Sequence, residues 1–197
     1  MNDSKIFKKL EGKDLISIGI FTAIYAVITF VIAILGMVPI FLLLLSVLVP
    51  IVGGIIFELY LTKVKKFGMI TIMGVLMGLI MLLTGMGIVP LITGIVFGVI
   101  ADLVYSLGRF SSAKCAVLAN GFFSMIVWGN YYELFFNAEN YWASRQDFGQ
   151  DYIDAVSSLL PTWMCPTLLA IEFVCGLIGG LLGKALMKKH FKKAGIA

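Results

Sequence analysis

The sequence predicts an all-α integral membrane protein: a compact bundle of six transmembrane helices with both termini in the cytoplasm. Three observations lead there. Of 197 residues, 60% are hydrophobic and only 13% are charged, against about 45–50% and about 25% in ordinary soluble domains. The mean hydropathy is +1.03. The apolar residues fall into six runs, each near the ~20 residues that cross a bilayer core. This composition excludes a cytosolic enzyme, a disordered tail and a secreted disulfide scaffold.

The runs follow one another through a single domain, residues 1–197. The first spans about 15–35; it is too long for a cleavable signal and is read as helix 1. Helix 2 covers about 38–62, with Pro39 near its start and a Pro50–Gly53–Gly54 cluster that could kink or break it. Helix 3 covers about 67–84, and helix 4 about 88–107 with Pro90 in its first turn. Helix 5 covers about 113–136, and helix 6 about 159–187 with Pro161 and Pro166 near its start. Short joints make the helices antiparallel neighbours. One long polar segment, about 137–158, is read as an extracellular loop.

Orientation follows from the basic residues. Lys5, Lys8, Lys9 and Lys13 precede helix 1, and Lys63, Lys65 and Lys66 join helices 2 and 3. Arg109 and Lys114 join helices 4 and 5, and Lys184, Lys188, Lys189, Lys192 and Lys193 end the chain. All lie on one side; the other holds only Arg145. Topology thus accounts for the net charge of +4 without nucleic acid.

Small residues mark helix contacts in lipid. Gly74 and Gly78, then Gly94, Gly98 and Ala101, then Gly176, Gly180 and Gly183, read as internal packing of helices 3, 4 and 6. Gly19, Ala23, Ala26 and Ala33 make a stripe on helix 1 against which a second membrane protein could dock.

Charges within spans need partners. Glu58 and Lys65, and Asp102 and Arg109, are read as interfacial pairs seven residues apart. Glu172 sits deep in helix 6 with no basic residue nearby in sequence, and serves either structure or a ligand. On helix 5, Asn120, Ser124, Trp128 and Tyr131 fall at steps of four, four and three on one face. Asn130, Glu133 and Asn137 make a neighbouring face, and Trp163 opens helix 6 at the same level. An outer aromatic belt explains Tyr141 and Trp142. Rings interleaved with polar groups suit a ligand pocket better. The candidate ligand-binding residues are Asn120, Ser124, Trp128, Tyr131, Glu133, Trp163 and Glu172.

Catalytic signatures are missing. There is no P-loop and no HExxH, and the only histidine, His190, lies in a lysine-rich tail. Cys115, Cys165 and Cys175 sit singly in apolar runs and read as small hydrophobes. No enzyme activity, metal or cofactor is expected.

The stretch Lys13-Asp14-Leu15-Ile16-Ser17-Ile18-Gly19-Ile20-Phe21-Thr22-Ala23-Ile24-Tyr25 resembles the first helix of the substrate-binding S components of energy-coupling-factor (ECF) transporters. More narrowly, the chain resembles the Trep_Strep, or MptE-type, integral membrane family. Its landmarks are Pro39-Ile40-Phe41, Pro50-Ile51-Val52-Gly53-Gly54, Leu61-Thr62-Lys63-Val64-Lys65-Lys66-Phe67-Gly68 and Leu83-Thr84-Gly85-Met86-Gly87. Thr93-Gly94-Ile95 and Ala101-Asp102-Leu103 add to them. The resemblance implies capture of a small water-soluble micronutrient in the outer half of the membrane; the aromatic-rich outer face leans toward a vitamin-like heterocycle. It implies as partners a coupling transmembrane subunit and two ATPase subunits. Docking through the helix-1 motif falls on Gly19, Ala23 and Ala26, with Gly19 departing from the usual alanine. A stand-alone permease and a non-transport membrane assembly factor stay open as alternatives.

Overall fold

A computed structural model describes residues 9–143, 145 and 147–191 of the chain. Lys5, Lys8, Lys192, Lys193 and the side chain of His190 lie outside the described residues. Nine α-helices are present among the described residues: α1 (Gly12–Ala33), α2 (Pro39–Leu61), α3 (Met69–Leu83), α4 (Val89–Leu107), α5 (Ala113–Ser124), α6 (Gly129–Phe136), α7 (Ala138–Ala143), α8 (Gln150–Leu159) and α9 (Met164–Leu186).

Four stretches are long and apolar enough to cross a membrane: Gly12–Met37, Pro39–Leu61, Val89–Leu107 and Met164–Lys189. Two further columns pack in the same bundle. The α3 helix has 15 residues, roughly 22 Å at 1.5 Å per residue. The other is the helical path through α5, a 3₁₀ stretch at Met125–Trp128, and α6. The most extensive contacts join α2 to α9, α3 to α4 and α5 to α9.

The expected bounds are corrected at the first and last columns, and the open question at Pro50 is answered. α1 begins at Gly12 because the Asp14 carboxylate accepts the Glu11 backbone N–H at 2.8 Å, satisfying a donor that a helix start otherwise leaves free. α2 runs unbroken through Pro50. Proline removes a helix donor, and the backbone of Pro50 and Ile51 packs closely against Gly179 of α9, the kind of support that lets a membrane helix carry proline. The polar segment 137–158 is largely helical, as α7 and α8, so the last column starts at Met164 rather than near residue 159. Pro161 disfavours helix at the residue before it, and Leu160 leaves the helical region at φ −116°, ψ 60°.

Close backbone approach explains the glycine stripes. A Cβ on Gly78 would lie 2.5 Å from Leu91 Cα, and Gly74 meets the Gly94 backbone. The core gathers Phe57, Tyr60, Met73 and Phe123, with Phe57 and Phe123 stacked at 4.3 Å.

The bundle has two distinct ends. At one, Lys66 Nζ donates to Glu11 Oε1 at 2.9 Å, to Asp14 Oδ2 at 2.7 Å and to the Lys9 carbonyl at 3.1 Å. These bonds join the start of α1 to the α2–α3 joint. Hydrogen bonding to these carboxylates pushes the Lys66 ammonium up from its ordinary value, and its partners Lys13 and Lys66 pull Glu11 down. At the same end the Tyr105 hydroxyl donates to the carbonyls of Leu61 and Phe110, both at 3.2 Å.

The two charged pairs expected there do not form. Asp102 turns inward, and its Oδ2 accepts from Gly68 N–H at 3.1 Å, Thr71 N–H at 2.7 Å and the Thr71 hydroxyl at 2.6 Å. A carboxylate at a helix N-terminus satisfies orphan donors that Arg109 does not supply. Gly68, at φ +96°, makes the turn that brings those donors round. Glu58 is buried against Gly180 and Gly183 of α9, while Lys65 is exposed. The cation in electrostatic reach of Glu58 is Lys184.

Candidate functional site

The opposite end carries the joints after α1 and α3 and the segment from α7 to α8. Two contacts hold this segment down. The Tyr152 hydroxyl donates to the Gly36 carbonyl. Arg145 donates to the Gly85 carbonyl at 2.8 Å and to the Tyr141 carbonyl at 3.0 Å, with its guanidinium 3.8 Å from the Tyr141 ring centre. The Tyr141 phenol is pushed up by burial, against the opposing pull of Arg145.

Beneath this cover is a cavity of about 630 Å³, its open mouth included, between α1, α2, the end of α3 and the α5–α6 path. Phe30, Leu42, Leu45, Met81 and Leu134 form much of its wall, and Tyr141 closes its outer side. A narrow space, about 320 Å³ with its open side included, adjoins it, reaching Tyr25, Met77 and Phe123. Both share Thr29, Val49, Met81, Val127 and Asn130.

Asn130 donates locally to the Val127 carbonyl at 3.1 Å, while its Oδ1 is buried without a hydrogen-bond partner among the described residues. The Tyr131 hydroxyl donates to the Leu42 carbonyl at 2.7 Å and ties α6 to α2. Such a cavity, apolar with few polar groups, has the character of a small-molecule site.

Of the seven candidate ligand residues, only Tyr131 lines this cavity. Asn120 and Ser124 face α9. Asn120 Nδ2 donates to the Gly176 carbonyl at 2.6 Å, and a Cβ at Gly176 would lie 2.5 Å from Ser124 Oγ. The close α5–α9 approach leaves no room there for a solute. Trp128 is also turned to α9, its indole N–H donating to the Cys165 carbonyl at 2.8 Å. Trp163 is 66% exposed, outside any wall. Glu133 packs by Gly87 and accepts from Asn137 Nδ2 at 2.7 Å. Glu172 is 0% exposed and both of its oxygens are without a hydrogen-bond partner among the described residues. The Trp128 backbone N–H faces it, and Tyr25 and Tyr131 lie within its electrostatic reach.

The reason for the misplaced face is the 3₁₀ stretch Met125–Trp128. Winding at 3.0 rather than 3.6 residues per turn adds roughly 20° per residue, hence roughly 80° over four residues. Steps of four, four and three therefore do not keep Tyr131 on the face of Asn120 and Ser124. Asn130 and Tyr131 swing toward α1 and α2. The sequence signal for Asn130 was its place on the neighbouring polar face; Thr29, Met81 and Tyr25 carried none.

A separate, more polar pocket lies at the lysine-rich end, about 420 Å³ with its open mouth included, lined by Glu58, Thr62, Tyr105, Ser111, Ser112 and Lys184 among others. Glu58 Oε1 is buried without a hydrogen-bond partner among the described residues.

On the outside of α1, Gly19 and Ala23 are exposed, and a Cβ at Gly19 would meet nothing within 4 Å. Ala26 is only 6% exposed and belongs to the core, so it is not part of an outward docking face. The three-residue step from Ala23 carries it round toward the bundle. The outward strip is instead Ile16, Gly19, Ile20, Ala23 and Val27.

No curated protein and no solved structure matches the chain. The family described as a hypothetical bacterial integral membrane protein (Trep_Strep) matches residues 12–193, nearly the whole chain. With its apolar helices and this match, the chain is a multi-pass member of the Trep_Strep family of bacterial integral membrane proteins.

Proposed function

We propose that this protein is the substrate-binding S component of an ECF-type transporter in the cell membrane. All six helical columns cross the bilayer, α3 and the α5–α6 path included, and both termini face the cytoplasm. The cavity beneath Tyr141 and Arg145 captures a small micronutrient from outside. The α1 strip of Gly19 and Ala23 docks on a coupling transmembrane subunit, which joins two ATPase subunits. The chain itself carries no enzyme activity and needs no cofactor; ATP is hydrolysed by its partners.

The observation that carries this reading is the covered cavity at the end opposite the basic residues. The orientation rule favours the cytoplasmic side for fourteen of the fifteen lysines and arginines, which supports an outer position for the cavity. The exposed small residues on α1 supply a surface where another helix can come close.

Affinity purification from host membranes, with identification of co-eluting proteins, tests it. A coupling subunit with two ATPases, and uptake abolished by a defective ATPase, is the expected outcome. ATP-independent transport by the isolated chain in liposomes would establish a permease instead.

A further inference from the structure

We propose that the outer cavity takes an uncharged, flat ring compound that is largely apolar and donates one hydrogen bond at Asn130. The inference rests on reading this cavity as the solute site and adds the class of solute. Among the described residues, no charged side chain lines either of the two adjoining spaces. An ionic group entering them would lose its hydration without gaining a counter-charge, which is strongly unfavourable. The solute is therefore neutral where it is enclosed.

Its shape follows from the walls. Met77, Met81 and Met86 face the same two spaces as the rings of Tyr25, Phe30 and Tyr141. Thioether sulfurs and aromatic faces both make favourable contacts with a planar ring. Unbranched methionine side chains also adjust to an irregular outline.

Its polarity follows from the orphaned group. Asn130 lines both spaces, and its Oδ1 is a buried acceptor with no partner among the described residues. A buried acceptor left unpaired is costly, so a ligand that supplies a donor gains what the empty site lacks. The Tyr131 hydroxyl is already committed to the Leu42 carbonyl. Thr29 lines both spaces, and its Oγ1, which makes no hydrogen bond among the described residues, can turn to a second polar atom on the ring.

Four indole probes separate these features. Indole is neutral with one N–H donor, and 1-methylindole is neutral with none. Indole-3-acetate is an anion and tryptamine a cation. Each is titrated by calorimetry into the full-length protein in lipid nanodiscs, with empty nanodiscs subtracted. Indole is expected to bind at least about tenfold more tightly than 1-methylindole, the two ions showing no binding above the blank. In Asn130→Leu, or Asn130→Ala should the former not fold, the gap between indole and 1-methylindole should close.

Equal binding of indole and 1-methylindole by the unsubstituted protein overturns the donor assignment. Binding of either ion as tightly as indole, or of none of the four, overturns the class of solute. The co-purification above is read separately: ATPases captured without indole binding sink this inference alone, whereas indole binding without them sinks the transporter reading alone.

Discussion

Arg145 donates to the backbone carbonyl of Gly85 across 60 residues of sequence, at 2.8 Å. That bond anchors the α7–α8 segment to the α3–α4 joint, over the mouth of the cavity. The same guanidinium stacks on Tyr141, a wall residue, so one side chain holds both the cover and the wall.

Replacing Arg145 by methionine should loosen this cover while leaving the bundle intact. A charge-assisted bond to an exposed carbonyl is worth about 1 kcal/mol here, equivalent to roughly a fivefold change in an opening equilibrium. Hydrogen exchange across 137–149 should quicken by about that factor, with α2 and α9 unchanged. Unaltered exchange in the segment would mean that Arg145 does not hold it.

Asp102 is expected to be a structural carboxylate. Its Oδ2 accepts three hydrogen bonds at the start of α3. Asp102→Ala leaves those half-buried donors unpaired, a loss of about 1–3 kcal/mol. Asp102→Asn keeps an acceptor and should cost less. Melting in detergent gives the ranking; an alanine variant as stable as the parent would contradict it.

Glu172 makes a different prediction. Its carboxylate is sealed from solvent, with no hydrogen-bond partner for either oxygen among the described residues, so any charge there is uncompensated. A carboxyl sealed from solvent without a counter-charge takes up a proton rather than stay ionised, so Glu172→Gln exchanges one neutral group for another of the same shape. The melting temperature should shift by no more than a few degrees, equivalent to about 1 kcal/mol, with indole binding unchanged. A fall in both would return Glu172 to the ligand site.

On α1 the two alanines should part company. Ala23→Trp adds bulk to an exposed strip, so the fold should survive while the proposed complex with the coupling subunit is lost. Ala26→Trp forces a ring into the core beside Tyr25 and should destabilise the isolated protein by about 1–3 kcal/mol or more. Co-purification and melting read the two effects. A complex that tolerates Ala23→Trp would place the dock elsewhere.

Lys66 ties the start of α1 to the α2–α3 joint through Glu11 and Asp14. The Glu11 pKa is lowered in the folded protein. Its contribution is therefore complete above the ordinary glutamate value of 4.5 and is lost as pH falls through the lowered one. Lys13 also holds Glu11 down, so Lys66→Met should reduce that part of the acid sensitivity without abolishing it, read from melting curves between neutral and acid pH.

The sequence by itself determined the class, the order of the helical columns and which end of the bundle is basic. Those features depend on composition, on apolar run length and on charge counted along the chain, and none needs a neighbour to be known. It also marked Gly74, Gly94 and Gly176 as places of close approach, because small residues have little other use at helical spacing in lipid. Tertiary structure alone decided which faces meet. Asp102 sits seven residues from Arg109 in sequence, yet the unpaired N–H groups of another helix claim it. Glu58 and Lys65 share a helical spacing, but the close approach of α9 buries the first and leaves the second outside. The cavity moved for the same kind of reason. A 3₁₀ stretch of four residues turned Tyr131 away from Ser124, and Gly176 of α9 packs closely against Ser124 and Asn120, which had been expected to receive a ligand. A cavity is what packing leaves unfilled, so its position is fixed only once every helix has found its neighbours.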